Sequence, residues 1–140
     1  MGARVWRNKF SILIFVATFI ICWLFKISPS SMPNYQDAIS NIVSFSSLTT
    51  AIFMAALVFV PKLSIGLLST LKTDKKFLER ILIVTFLYFI SSILALVAIL
   101  ALSGKDNSTF GIINISLLLA FLSAAISESI YVFIVIFSTK

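Results

Sequence analysis

The stretch SNIVSFSSLTTAIFMAALVFVPKLSIGLLSTLKTDKKFLER, residues 40–80, decides the fold. It begins as a hydroxyl-rich apolar segment, passes Pro61 and ends in the densest positive charge of the chain. Five of the eleven basic residues lie in this stretch, namely Lys62, Lys72, Lys75, Lys76 and Arg80. Short basic connectors between apolar segments are retained in the cytoplasm. The stretch therefore predicts a membrane-spanning helix that is followed by a basic cytoplasmic connector over residues 61–80.

The composition indicates a membrane protein. Of the 140 residues, 60% are hydrophobic and 11% are charged, and the mean hydropathy is +1.12. One small soluble core could not hide so many apolar side chains. The net charge of +6 could suit nucleic acid, but the basic residues flank apolar runs, where topology signals lie. We therefore expect the lipid bilayer, rather than nucleic acid, as the partner.

The apolar runs predict an all-α membrane protein with four transmembrane helices in a single domain, residues 1–140. The predicted spans are residues 9–27, 37–60, 79–102 and 110–137. Along the chain, three basic residues lie at the start of the first span, one at its end, five in the connector, one in the last loop and one at the C-terminus. This alternation predicts cytoplasmic termini and two outer loops, residues 28–36 and 104–109.

Two of the spans allow alternative interpretations. The first apolar run is similar to a signal peptide, but Trp23 and Phe25 are bulky where a cleavage site needs small residues, so we expect an uncleaved helix. In the second helix, leucines recur at helical spacing after Pro61, which indicates a kink rather than an end. The extended part would project into the cytoplasm or lie along the membrane surface. There it would either anchor the connector or take part in gating.

Small residues repeat every four positions in two of the predicted helices. They are Ser47, Ala51 and Ala55 in the second helix and Ser116, Ala120 and Ala124 in the fourth. Small side chains let helices approach closely in a membrane. We therefore expect these helices to make close contacts, within one chain or between subunits of a homo-oligomer. Ordinary helix packing without a further role is the alternative.

Glu128 is the only ionisable residue deep inside a predicted span. A carboxylate in hydrocarbon is costly, so such a residue faces a helix interface or a water-filled cavity and has a partner. The sequence offers Lys62 as that partner, and the pair would then control gating. A protonated Glu128 bonded to Ser127 or to the hydroxyl stripe of the second helix is a second possibility, and a structural pair that fixes helix register is a third.

Soluble-type catalysis is not expected from this composition. The chain has no histidine, which excludes Ser-His-Asp, Cys-His and histidine-based metal sites. Its single cysteine, Cys22, lies in an apolar run and cannot form an intrachain disulfide. The remaining acidic residues are in loops or at helix ends. We therefore predict no enzyme activity, no metal and no cofactor.

The hydroxyl groups of the second helix suit an aqueous pore. If second helices surround an axis, their hydroxyls can solvate ions in the outer part, and two apolar residues farther in can form a dewetting constriction. The predicted lining consists of Ser40, Ser44, Ser47, Thr50, Leu57 and Val58. The inner exit would then meet Lys62 and the basic connector.

The segment NIVSFSSLTTA, residues 41–51, opens a second helix that runs from outside to inside. In this it resembles the small four-span effector subunits of bacterial anti-phage defence systems. The resemblance implies an oligomeric channel or depolarising effector of the bacterial inner membrane, held shut until infection and partnered with a separate sensor protein. Such a partner would act on the basic connector, and the expected contact residues are Lys72, Lys75, Lys76 and Arg80.

Two other functions fit a small, basic, multi-span chain. One is inhibitory binding, as in the immunity proteins of pore-forming bacteriocins. The other is proton-coupled export that uses Glu128, as in small multidrug transporters, although the glutamate of those proteins lies in the first span. Conductance of the purified protein in liposomes would separate a channel from an inhibitory binding protein.

Overall fold

The computed structural model describes residues 8–59 and 75–138, and these ranges are helical apart from the short loops that join the helices. Helix α1 spans Lys9–Leu24, α2 spans Tyr35–Phe59, α3 spans Lys75–Ala101 and α4 spans Thr109–Ser138. A short 3-10 turn, Pro29–Ser31, lies between α1 and α2. The prediction of an all-α chain is confirmed for the described residues.

Three of the helices are long and apolar enough to cross a membrane. Their apolar parts are Tyr35–Phe59 and Phe77–Ala101, with 25 residues each, and Thr109–Ser138, with 30 residues. Helix α1 is also apolar but has 16 residues, which amounts to about 24 Å against a hydrocarbon core of about 30 Å. The chain is therefore a multi-pass membrane protein, and a fourth span by α1 remains a prediction.

Helix α1 ends three residues before the predicted limit of residue 27 because the backbone turns sharply at Lys26. This lysine has a φ of 48°, in the left-handed region. The Ile27 N–H donates to the carbonyl oxygen of Cys22 at 3.1 Å, which is the hydrogen bond of a Schellman ending. Helix α3 begins at Lys75, inside the basic connector that was predicted for residues 61–80. This is four residues before residue 79, the predicted start of the third span.

The helices pack in the order α2, α3, α4, α1, so α1 and α2 lie at opposite edges. Within one chain, α2 and α4 each pack along α3 instead of along one another. The two helices do make an aromatic contact between Phe53 and Phe133, whose ring centroids are 6.5 Å apart. Two hydrophobic clusters hold α2, α3 and α4 together, one around Tyr88 and the other around Ile39.

The two loops that were predicted to lie outside are at the same end of the molecule. The Ser30 N–H donates to the carbonyl oxygen of Asp106 at 3.1 Å, and the Tyr35 hydroxyl donates to the carbonyl of Ala98 at 2.9 Å. The Ser108 N–H donates to the Asp106 carboxylate, which holds the pKa of that carboxyl below its usual range. This contact between the loops agrees with an alternating path of the chain.

We expect cysteines at Gln36 and Asn107 to react with a membrane-impermeant maleimide applied to intact cells, and a cysteine at Ser138 to react only after the cells are opened. All three native side chains are exposed, whereas Cys22 is buried and gives a silent background. Labelling of Ser138→Cys in sealed cells would reverse the orientation. Labelling of Gln36→Cys and Asn107→Cys from opposite sides would contradict the shared end.

Candidate functional site

Three helices converge on the Glu128 side chain. Glu128 lies on α4 and is 3% exposed, and its Oε2 atom is 3.1 Å from the Nη1 atom of Arg80 on α3. The Ser11 hydroxyl of α1 donates to the other carboxylate oxygen, Oε1. A hydrogen-bonded ion pair and a third helix therefore satisfy the buried carboxylate, as a charge of this kind requires in a low-dielectric surrounding.

The spacing of small residues on α4 explains how Glu128 comes to lie at this interface. Ser116, Ala120 and Ala124 precede it at intervals of four residues, and all four side chains are buried. Residues four apart share one face of a helix. Because the preceding side chains are small, the neighbouring helices can approach this face closely. The carboxylate is therefore carried into the packed interior.

Arg80 is held on a second side by an aromatic ring. Its guanidinium carbon lies 3.9 Å from the centroid of the Tyr131 ring, and Tyr131 is three residues after Glu128 on the same helix. A cation over an aromatic face contributes about 2 kcal/mol when it is desolvated. The carboxylate and the ring together fix the position of α3 along α4.

A cavity of about 570 Å³ adjoins the ion pair. We call it the Arg80 cavity. Its wall is formed mainly by α1 and α4, with Arg80 contributed by α3. The polar residues of the wall are Ser11, Arg80, Ser123, Ser127 and Glu128, and the apolar residues are Phe10, Ile14, Ile126, Ile130, Tyr131 and Ile134. The cavity thus has a charged and hydroxylated region within an apolar surface.

Hydroxyl pairs lie on both sides of α4 near this site. The Ser123 hydroxyl is 3.0 Å from the Thr18 hydroxyl of α1, and the Ser129 hydroxyl is 3.0 Å from the Tyr88 hydroxyl of α3. Each serine also donates to a carbonyl of its own helix, so its place in the interface does not depend on the neighbouring helix alone. These pairs connect α4 to the helices on its two sides.

The small residues of α2 lie on the open edge of the molecule, in contrast to those of α4. Ser40, Ser44, Ser47 and Ala51 are exposed along one stripe, which we call the hydroxyl edge. The Ser44 hydroxyl donates to the carbonyl of Ser40 at 3.0 Å, and the Ser47 hydroxyl lies 3.5 Å from the hydroxyl of Ser92 on α3. The hydroxyl edge therefore lies at the rim of the single chain and contacts α3 at Ser47.

The predicted pore-lining residues fall on two faces of α2. Ser40, Ser44, Ser47 and Val58 are exposed. Thr50, in contrast, is buried against α3 and donates to the carbonyl of Ser46 at 2.7 Å, and Leu57 is half-buried. Thr50 and Leu57 also line a groove of about 240 Å³ between α2 and α3. A pore lined by the exposed face would therefore exclude these two side chains. Ala55, the last member of the α2 repeat, is also exposed.

The basic residues that were predicted to act in gating and partner binding are only partly described. Lys62 and Lys72 lie outside the described residues, as do the side chains of Lys75 and Lys76. Arg80 was predicted to meet a partner protein, but its described contacts are with Glu128 and Tyr131 inside the chain. The described partners of Glu128 are thus Arg80 and Ser11, and neither was predicted.

The sequence does contain a signal for the Arg80–Glu128 pair. Arg80 lies 21 residues before the end of α3 at Ala101, and Glu128 lies 19 residues after the start of α4 at Thr109. A short loop joins these two ends, so the helices are antiparallel and the two charges come to a similar depth. The sequence predicts Arg80 in the polar first turns of α3 and at the end of the basic connector, where a partner protein was expected to meet it. The role of Tyr131 follows from its spacing of three residues from Glu128.

No protein family model, no curated protein and no solved structure matches the chain. Among the described residues, no group of three or more histidine, cysteine, aspartate or glutamate side chains is arranged to hold a metal ion. Two features of the described residues bear on function, the hydroxyl edge of α2 and the Arg80–Glu128 site.

Proposed function

We propose that the chain is one subunit of a homo-oligomeric channel of the bacterial inner membrane, with α2 of each subunit at the pore. The observation that carries the proposal is the hydroxyl edge, three serines and an alanine exposed on a helix at the rim of the molecule. Hydroxyl groups in a membrane pair with a neighbouring helix or face water. A ring of subunits joined at this edge would provide both.

Fewer residues would line the pore than the sequence alone predicts. Ser40, Ser44 and Ser47 would solvate ions in the outer part, and Val58, on the same stripe farther along α2, would form an apolar constriction that opens and closes by wetting. Thr50 and Leu57 were also predicted to line the pore, but both lie toward α3 in the single chain, so we leave them out of the proposed lining. Each subunit contributes one helix to the axis because α2 is at the edge and the other helices lie behind it.

Regulation would act through the connector that joins α2 to α3. The Arg80–Glu128 pair anchors the start of α3 to α4, so a partner that pulls on the connector would move α2 against a fixed helix. Lys72, Lys75 and Lys76 supply positive charge for an acidic regulator at this position. Together with the resemblance of residues 41–51 to anti-phage effectors, this supports a depolarising effector that a separate sensor protein controls.

We expect purified protein to conduct ions in liposomes, and Ser44→Leu and Ser47→Leu each to remove more than half of the flux. A leucine on the hydroxyl edge would narrow the pore and take away a hydroxyl that solvates ions. Thr49→Leu is the matched control, since Thr49 lies on another face of α2 and its hydroxyl donates to the carbonyl of Phe45. This variant should conduct normally.

Cross-linking and mass measurement in detergent complete the test. A ladder of defined length is expected for the wild-type chain and for both serine variants, because the substitutions block the pore without removing the other contacts. A wild-type chain that is monomeric, or an oligomer that does not conduct, would eliminate the channel. Inhibitory binding to another membrane protein would then be the leading function.

A further inference from the structure

We infer that the Arg80 cavity binds an uncharged lipid that carries a hydroxyl group, with this hydroxyl at Ser127 and Tyr131 and the hydrocarbon chain along the apolar wall. The site is separate from the hydroxyl edge, because its wall is formed by α1, α3 and α4, and α2 lies at the opposite edge of the molecule. Binding of this lipid does not depend on whether the chain conducts ions.

The charges of the wall are satisfied within the protein. The Nη1 atom of Arg80 is 3.1 Å from the Oε2 atom of Glu128, and the guanidinium also lies over the Tyr131 ring. The other carboxylate oxygen accepts a hydrogen bond from the Ser11 hydroxyl. The positive and the negative charge cancel, so an ion that entered the cavity would lose its hydration without meeting an unpaired counter-charge in the described wall. The wall therefore favours an uncharged ligand.

Two hydroxyl groups of the wall are available to such a ligand. Ser11 and Ser123 are hydrogen-bonded within the protein, whereas the hydroxyls of Ser127 and Tyr131 have no hydrogen-bond partner among the described residues. Ser127 was one predicted partner of Glu128, but the carboxylate bonds to other residues. Ser127 and Tyr131 are four residues apart and share one face of α4. Because a hydroxyl both donates and accepts, the two groups can bind a lipid hydroxyl together.

The rest of the wall is apolar and opens toward lipid. Ile126, Ile130 and Ile134 lie at intervals of four on α4, and all three are exposed, as is Phe10 of α1. A lipid can therefore enter from the bilayer and place its hydrocarbon chain on this surface. The cavity volume of about 570 Å³ lies within the range of small-molecule sites, about 300–1,000 Å³.

The hydroxyl pair and the apolar wall together define the occupant. An acyl chain alone would cover the isoleucines but leave the hydroxyls of Ser127 and Tyr131 facing hydrocarbon, and an unpaired hydroxyl in apolar surroundings is costly. The hydroxyl of a lipid carries the same cost when it enters the bilayer. All three groups gain partners when the lipid hydroxyl meets the pair. An uncharged lipid with a hydroxyl group therefore satisfies both parts of the cavity.

Photolabelling with three lipids that share one alkyl chain tests the head group. Each lipid carries a diazirine in a hexadecyl chain, and the three heads are a hydroxyl, a sulfate and a trimethylammonium group. The purified protein is labelled in dodecyl maltoside micelles at equal mole fractions of the lipids, and mass spectrometry of the peptides maps the labelled positions. We expect the alcohol to label the wall of the cavity about fivefold more than either ion.

Removing the two hydroxyls should abolish this preference. Ser127→Ala combined with Tyr131→Phe should lower labelling by the alcohol about fivefold and leave labelling by the two ions unchanged. The phenylalanine keeps an aromatic ring beside Arg80, so the packing of α3 on α4 is retained. Ser138→Ala is the matched control, because it removes an exposed hydroxyl of α4 outside the cavity, and it should not change the labelling.

Filling the apolar wall gives an independent variant. Ile130→Trp should lower labelling of the cavity by all three lipids, whereas Ile93→Trp, at an exposed isoleucine of α3 outside the cavity, should not. Equal labelling of the wild type by the three lipids would overturn the inference, because the wall would then be an apolar surface without polar recognition. So would stronger labelling by either ion, or unchanged labelling by the alcohol in the double variant. Labelling that appears only on dilution to monomers would also overturn it, since a second copy of the chain would then fill the cavity.

Discussion

We expect Arg80→Gln to lower the free energy of unfolding by about 3–5 kcal/mol, which is the cost of removing one partner of a buried ion pair. Glu128 would then remain at an interface of three helices with Ser11 as its other described partner. Glu128→Gln should cost less. The arginine is the more exposed member of the pair, and a long side chain can direct its charge toward the membrane surface.

Unfolding by a denaturing detergent in mixed micelles measures the free energies of unfolding of these variants. The double variant Arg80→Gln with Glu128→Gln should be more stable than Arg80→Gln alone, because two amides can share a hydrogen bond and no buried charge is left. Lys105→Gln, which removes an exposed charge from the loop between α3 and α4, serves as the control and should leave stability unchanged. Equal losses for Arg80→Gln and Lys105→Gln would contradict a structural role for the pair.

Composition and charge pattern were sufficient to predict the class of fold. The predicted spans agree with the helices to within about four residues, because long apolar runs can bury their backbone groups in a membrane only as helix. The departures occur at the ends. At Lys26 the backbone leaves the helix through a left-handed residue, and the apolar run that precedes it carries no signal for that turn. The first turns of α3 are polar, so the apolar span that hydropathy predicts begins at residue 79, whereas the helix itself begins at Lys75.

The order of packing was not predictable by the same reasoning. In a soluble protein an apolar face marks the core, but in a bilayer both lipid and protein interior are apolar, so hydropathy does not say which helices are neighbours. The repeats of small residues on α2 and α4 therefore have the same pattern, and both were expected to make close contacts, within one chain or between subunits. Within the single chain, the α4 repeat is packed inside and the α2 repeat lies at the edge. The Arg80–Glu128 pair depends on this order, because α3 must lie beside α4.

One substitution, made once in each repeat, separates their roles. Ala120 on α4 is fully buried, whereas Ala51 on α2 is exposed on the hydroxyl edge. A leucine at position 120 would have to enter a packed interface between helices, so we expect Ala120→Leu to destabilise the single chain by about 1–3 kcal/mol. A leucine at position 51 is not forced into a packed interface, because Ala51 is exposed, and we expect Ala51→Leu to leave monomer stability unchanged.

The effect of Ala51→Leu should appear in assembly instead. Ala51 has no hydroxyl that could solvate ions, so we assign its small side chain to the contact between subunits and the neighbouring serines to the pore lining. Ala51→Leu should therefore shorten the cross-linked ladder and abolish conductance while the monomer stays folded, whereas Ser44→Leu and Ser47→Leu should leave the ladder intact. Ala120→Leu, measured under conditions where it is still folded, should assemble normally. Equal losses of monomer stability in the two variants would mean that α2 packs inside the chain as α4 does. Intact assembly of Ala51→Leu would show that the hydroxyl edge is not the contact between subunits. The larger leucine side chain would then contact no neighbouring helix, either in the monomer or in the oligomer.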